Sequence, residues 1–242
     1  MSDAFFTVEY LTAGYGKATV LHNVSFTLTA GSVTLLTGRN GVGKSTLMKS
    51  LIGLVPTSKA MVRLENTTLI TARKPGNPIE IARAGIGYVP EERRVFSDLS
   101  VAENLIAGEK QGPGPVWNQA DIMELFPPLR PLLSRRAGQL SGGEQQMLAI
   151  ARTLMGAPKL LLLDEPSEGL APVIVNRLAG ALRDLAARGL TILIAEQNWR
   201  FASAIASDVL VMDQGQIVHR DSMASFAADT DAQSRLLGIG NN

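Results

Sequence analysis

The chain has no cysteine among its 242 residues, and that absence excludes disulfides, thiolate metal centres and cysteine nucleophiles together. It has no apolar run near the roughly 18 to 20 residues that a membrane-spanning helix needs, so work at a membrane would require other subunits to hold it there. Net charge is nearly absent. With 23 basic against 22 acidic residues the formal charge is +1, and no global field draws the chain to nucleic acid. Nucleic acid is therefore not expected as a partner. Met1 to Phe6 carries an acid at Asp3 and no basic stretch ahead of an apolar one, which argues against a secretory signal. No internal repeat or heptad seam is visible. The length suits one large α/β domain with a substantial core, or such a domain carrying a subdomain.

What is present begins with phosphate chemistry. Gly38, Arg39, Asn40, Gly41, Val42, Gly43, Lys44, Ser45 and Thr46 follow an apolar strand-like run, Val33 to Thr37, and open a helix-like run. Glycines leave backbone N–H groups free to wrap an anion, Lys44 reaches the terminal phosphates, and the Ser45 hydroxyl suits Mg²⁺. A nucleoside triphosphate is the expected ligand.

Leu160 to Leu163 followed by Asp164 and Glu165 form a second motif. Four successive leucines suit a strand buried on both faces, with the two carboxylates emerging at its end, beside the P-loop. Asp164 would hold the Mg²⁺ shell and Glu165 would polarise the attacking water. The competing reading is a plain polar strand end.

In the third motif Leu140, Ser141, Gly142, Gly143, Glu144, Gln145 and Gln146 precede a helical run through Leu154, with Ser141 as N-cap. An ordinary capped turn accounts for these residues; a second anion cradle does so too. One P-loop already serves this chain's nucleotide, so a second cradle implies another chain's nucleotide and head-to-tail pairing.

The remaining sequence alternates strands and helices, as a mostly parallel sheet covered on both faces would. Phe5 to Leu11 and Val20 to Leu28, around Gly14 and Gly16, read as antiparallel strands. Further strands are expected at Ala60–Leu64, Ile86–Val89, Leu160–Leu163, Thr191–Ala195 and Val209–Met212, with helices at Ser45–Leu51, Pro172–Ala187 and Phe201–Ala206. From Ser100 to Gly138 strand signals vanish, which suggests short helices inserted into the core. Gly112, Pro113, Gly114 and Pro115 read as a solvated loop tip.

Taken in order, these motifs resemble the ATP-binding cassette (ABC) ATPases over nearly the whole chain. Gly38–Thr46 matches the Walker A loop, Leu140–Glu144 the signature motif and Leu160–Glu165 the Walker B strand. The resemblance implies an α/β fold: a RecA-like P-loop NTPase core with an N-terminal antiparallel β subdomain and an inserted α-helical subdomain. Residues 1–91 and 157–242 would form the core and 92–156 the helical part with the signature. It further implies ATP held between one subunit's P-loop (Gly38, Asn40, Gly41, Gly43, Lys44, Ser45, Thr46) and the other subunit's Ser141, Gly142 and Gly143. Tyr15 matches the aromatic that stacks on adenine, with a packing role as its competitor.

Two departures narrow the resemblance. Tyr88, Val89 and Pro90 lead into Glu91 where most members carry glutamine, and Ala195, Glu196, Gln197 and Asn198 put Gln197 in the slot of the switch histidine. The only histidines, His22 and His219, lie elsewhere. Glutamine can hydrogen-bond a phosphate but cannot become cationic, so Glu165 carries more of the catalysis, alongside Lys44 and Gln197. Glu91 joins Ser45 and Asp164 as a nucleotide and Mg²⁺ contact. With Pro166 to Pro172, these features resemble the smaller ATPase of branched-chain (hydrophobic) amino acid importers. That implies a cassette partner, identical or related, permease subunits, and indirectly a periplasmic solute-binding protein, at the cytoplasmic face of the inner membrane. Val95, Phe96 and Leu99, with Arg93 and Arg94 at the rim, would line the groove for a permease helix; plain core packing is the alternative. Urea or short-chain amide import, a soluble or regulatory ABC-type ATPase, and an exporter cassette remain competing functions.

Overall fold

The computed structural model describes residues 4–238; Met1 to Asp3, part of the stretch read above for a signal, lie outside the described residues. Two sheets organise the chain. β1 (Phe6–Tyr15), β2 (Ala18–Leu28), β4 (Thr57–Leu64) and β5 (Thr67–Thr71) form an antiparallel sheet in the order β2-β1-β4-β5. The second sheet runs β10-β9-β3-β8-β7-β6, from β3 (Val33–Thr37), β6 (Ile86–Val89), β7 (Leu160–Asp164), β8 (Thr191–Ala195), β9 (Asp208–Asp213) and β10 (Gln216–Ser222). All its pairings are parallel except that of β10 with β9.

The apolar runs of the central strands have one cause, burial on both faces. Leu161, Leu163, Ile192, Ile194, Val209 and Val211 point into one core, with α5 (Gly142–Leu154) and α6 (Pro172–Ala187). Leu160, Leu162, Leu193, Ala195, Leu210 and Met212 point into the other, against α1 (Lys44–Leu51) and the antiparallel sheet. Every residue of β3, β7 and β8 is buried, and each such leucine contributes about 1.5–3 kcal/mol of transfer free energy.

Helices α3 (Val101–Gly108) and α4 (Gln119–Leu125) each start with a capping box, Ser100 with Glu103 and Asn118 with Asp121. Their buried residues Val101, Leu105, Ile122 and Leu125 join the core that holds α5. The other helices are α2 (Pro78–Arg83), α7 (Trp199–Ser203), α8 (Met223–Ala228) and α9 (Thr230–Leu237). Among the described residues no helix is long and apolar enough to cross a membrane.

Several local expectations need correction. The stretch from Gly112 to Pro115 is not a free tip: Gly114 donates its N–H to the Ala157 carbonyl at 2.8 Å, and a Cβ on Gly114 would sit 2.1 Å from the Pro158 carbonyl oxygen. Two glycines are there because backbone packs on backbone. Gly14 belongs to β1 rather than to the turn, the helix expected at Phe201–Ala206 runs from Trp199 to Ser203, and α2, β5 and β10 carry no strong apolar period that would announce them. β10 alternates exposed and half-buried residues, as a sheet edge does.

Candidate nucleotide site

β3 leaves the sheet at Thr37 and the chain turns through Gly38 to Gly43 before α1 starts at Lys44. Gly38 has φ +149° and a Cβ there would lie 2.2 Å from the Met212 carbonyl oxygen, so only glycine fits against β9. Gly43, at φ +111°, caps the helix without a side chain and leaves its N-terminal N–H groups open to an anion. A cavity of about 330 Å³ lies over this turn; Asn40, Gly41, Gly43, Lys44, Ser45 and Thr46 line it, and Glu91, Glu165 and Gln197 face it from other elements.

Lys44 is buried, and its Nζ donates to the Gly38 and Arg39 carbonyls at 2.9 and 3.2 Å, 3.7 Å from Glu165 Oε1. The ammonium is thus held inside the loop it serves. Ser45 Oγ donates to Asp164 Oδ1 at 3.0 Å, and Tyr88 OH to Asp164 Oδ2 at 3.2 Å. Burial pushes the Asp164 carboxyl up, against these two hydrogen bonds, and pushes the Tyr88 hydroxyl far above its ordinary value. Tyr88 therefore stays a neutral donor that orients Asp164. Sequence reasoning passed over it; its position one strand away from β7, paired with Leu162, becomes visible only with the sheet register.

Glu165 sits at φ +47°, a region that non-glycine residues rarely occupy, and its N–H donates to the Ala195 carbonyl at 2.9 Å. Its carboxylate accepts the Gln197 side-chain amide at 2.7 Å. Burial raises the Glu165 carboxyl above the ordinary range, while the hydrogen bond from Gln197 opposes the rise. Partial desolvation and the neighbouring Glu168 carboxylate likewise raise Glu91.

Among the described residues no group of three or more His, Asp or Glu side chains is disposed to hold a metal ion. The adjacent Ser45 hydroxyl and Asp164 carboxylate are nonetheless the hard oxygen donors that suit Mg²⁺ shared with substrate phosphates, since that ion keeps waters and phosphate oxygens for its other positions.

Other expected residues lie apart from this cavity. Tyr15 is exposed at the end of β1 and does not line it. Ser141, Gly142 and Gly143 also stay outside it. Ser141 caps α5 in a reciprocal pair with Glu144, accepting from the Glu144 N–H at 3.4 Å while Glu144 Oε2 accepts the Ser141 N–H at 2.8 Å. Arg93, expected beside Arg94 at a groove rim, is half-buried. Its guanidinium donates to the Glu168 carbonyl and lies against Gly142.

A phosphate-wrapping loop at the end of the buried parallel strand β3, with paired carboxylates leaving β7 on the far side of β8, defines a P-loop nucleoside-triphosphate-binding protein. Residues 21–168 match the ABC transporter family. The chain is 42% identical over 227 residues to the high-affinity branched-chain amino acid transport ATP-binding protein BraG of Pseudomonas aeruginosa, covering 93% of this chain and 95% of that one. It is 38% identical to the probable branched-chain amino acid transport ATP-binding protein LivF of Archaeoglobus fulgidus, covering 95% and 97%. Among solved structures, a nucleotide-free ATP-binding cassette from an ABC transporter superposes with a TM-score of 0.80 at 28% identity, covering 98% of this chain and all of that one. The chain belongs to the ABC transporter family, with its α/β cassette fold of parallel core, antiparallel β part and helical insert.

Proposed function

We propose that this chain is the ATP-hydrolysing subunit of an ABC importer for branched-chain or other hydrophobic amino acids. The observation that carries the reading is the convergence of Lys44, Ser45, Asp164, Glu165 and Gln197 on one cavity, in a chain so similar to BraG along its length.

In this reading the loop N–H groups and Lys44 bind the β- and γ-phosphates. Ser45 and Asp164 would hold Mg²⁺, which would neutralise phosphate charge when bound, and Glu91 faces the same space. Glu165, oriented by Gln197, takes a proton from water as the water oxygen bonds to the γ-phosphorus. The bond from that phosphorus to the β–γ bridging oxygen breaks, leaving ADP and phosphate. Ser141, Gly142 and Gly143 would close over a partner cassette's nucleotide, and Tyr15 would stack on adenine. The division into a core, residues 1–91 and 157–242, and a helical subdomain, 92–156, belongs to the same reading.

A cleft of about 300 Å³ lined by Tyr88, Phe96, Gly108 and Arg152 supports permease docking between core and helical insert. Phe96 is exposed, with the Arg152 guanidinium stacked on it at 4.4 Å, whereas Val95 packs against the core. The chain would then be peripheral, at the cytoplasmic face of the inner membrane, with a solute-binding protein acting on the permease from the other side. Co-purification from membranes with identification of the bound subunits, followed by ATP-dependent uptake of labelled leucine, tests this. Uptake driven by the complex is expected; an ATP-hydrolysing complex that moves urea or short-chain amides and no amino acid would refute the assignment of solute.

A further inference from the structure

Glu196 follows β8 and is 2% exposed, yet among the described residues no lysine or arginine lies within ion-pair distance of it. A carboxylate removed from water is costly unless hydrogen bonds replace the lost hydration, and here three backbone N–H groups do so. Oε1 accepts from Gln197 and Asn198, both at 2.9 Å, and Oε2 accepts from Ser167 at 3.2 Å. Ser167, itself buried, lies two residues beyond Glu165 on the loop that leaves β7. The carboxylate therefore ties the loop carrying Gln197 to the loop carrying Glu165, underneath the 2.7 Å bond that joins those two side chains. Glu165 occupies an unfavourable backbone conformation, φ +47°, that persists only when its surroundings over-determine it.

We infer that Glu196 is a positioning residue for ATP hydrolysis, holding both loops so that Gln197 meets Glu165. The inference rests on the ATPase reading above. A shorter acid separates its two functions: Glu196→Asp keeps the charge and can still close its own loop through the N–H two residues on, as aspartates do in turns, but it withdraws from Ser167.

The test is steady-state ATP hydrolysis by the chain co-purified with its permease partners, comparing wild type, Glu196→Asp, Gln197→Ala and the double variant. Glu196→Asp is expected to lower kcat on the order of 10²-fold, the scale of a small misplacement of reacting groups, with KM for ATP changed by less than about twofold. Acting through Gln197, it should add little to the Gln197→Ala loss in the double variant. A Glu196→Asp complex with wild-type kcat, or losses that multiply in full, overturns the inference. If Glu196→Asp does not fold, Glu196→Gln, which preserves length and removes one acceptor oxygen, is held to the same criteria. A wild-type complex without ATPase activity refutes the function itself, and this inference with it.

Discussion

Gln197 donates its side-chain amide to the carboxylate of Glu165 across 2.7 Å; in the mechanism proposed above, the first stands in the slot of a switch histidine and the second activates water. Because glutamine carries no titrating proton, its contribution is to aim Glu165 and to favour its ionised form. Gln197→Ala should lower turnover on the order of 10²-fold with nucleotide binding retained, measured as phosphate release and fluorescent-nucleotide affinity.

The pH profile should follow from the same pair. Burial raises the Glu165 carboxyl and the Gln197 hydrogen bond lowers it. A general base works deprotonated, so turnover at saturating ATP should fall as pH drops through a midpoint above the ordinary carboxylate range. Removing the opposing hydrogen bond in Gln197→Ala should move that acid limb to still higher pH. An acid limb that stays put would disconnect the pair.

Glu165→Gln should keep ATP bound and lower turnover by about 10² or more, roughly 3 kcal/mol of barrier. Single-turnover kinetics with labelled ATP separate the two effects.

Lys44→Ala removes the buried ammonium that the Gly38 and Arg39 carbonyls hold. Loss of its charge-assisted bonds to phosphate should weaken ATP binding by about 1.5–3 kcal/mol, read by nucleotide titration.

Gly114→Ala should destabilise the fold by about 1–3 kcal/mol, the scale of overpacking, because the new methyl meets the Pro158 backbone. Chemical denaturation measures it; a neutral result would return the Gly112–Pro115 stretch to solvent.

Much of the architecture is legible in the chain because β3, β7 and β8 are buried on both faces and are therefore mostly apolar, and because anion chemistry at a helix start demands glycines followed by lysine and serine. The P-loop, the Asp164–Glu165 pair and the Ser141 cap were readable for that reason. What was not readable depends on neighbours distant in sequence. Tyr88 meets Asp164 only through the register of β6 on β7, Arg93 reaches Glu168 across 75 positions, and Glu196 reveals its role only once the loops after β7 and β8 lie side by side. The Gly112–Pro115 error has the same origin: glycine marks close backbone approach as readily as a turn.

Ser141, Gly142 and Gly143 stand outside the cavity that Lys44 and Glu165 line, and in the proposed reading they would close a partner's site, so that one chain would supply only part of a closed nucleotide site. The most direct measurement is ATP turnover per chain as the protein passes from a dilute, unpaired state to the paired, permease-bound complex. Turnover near zero unpaired and rising on assembly is the predicted result; the same magnesium-dependent rate in the rigorously monomeric fraction would contradict it.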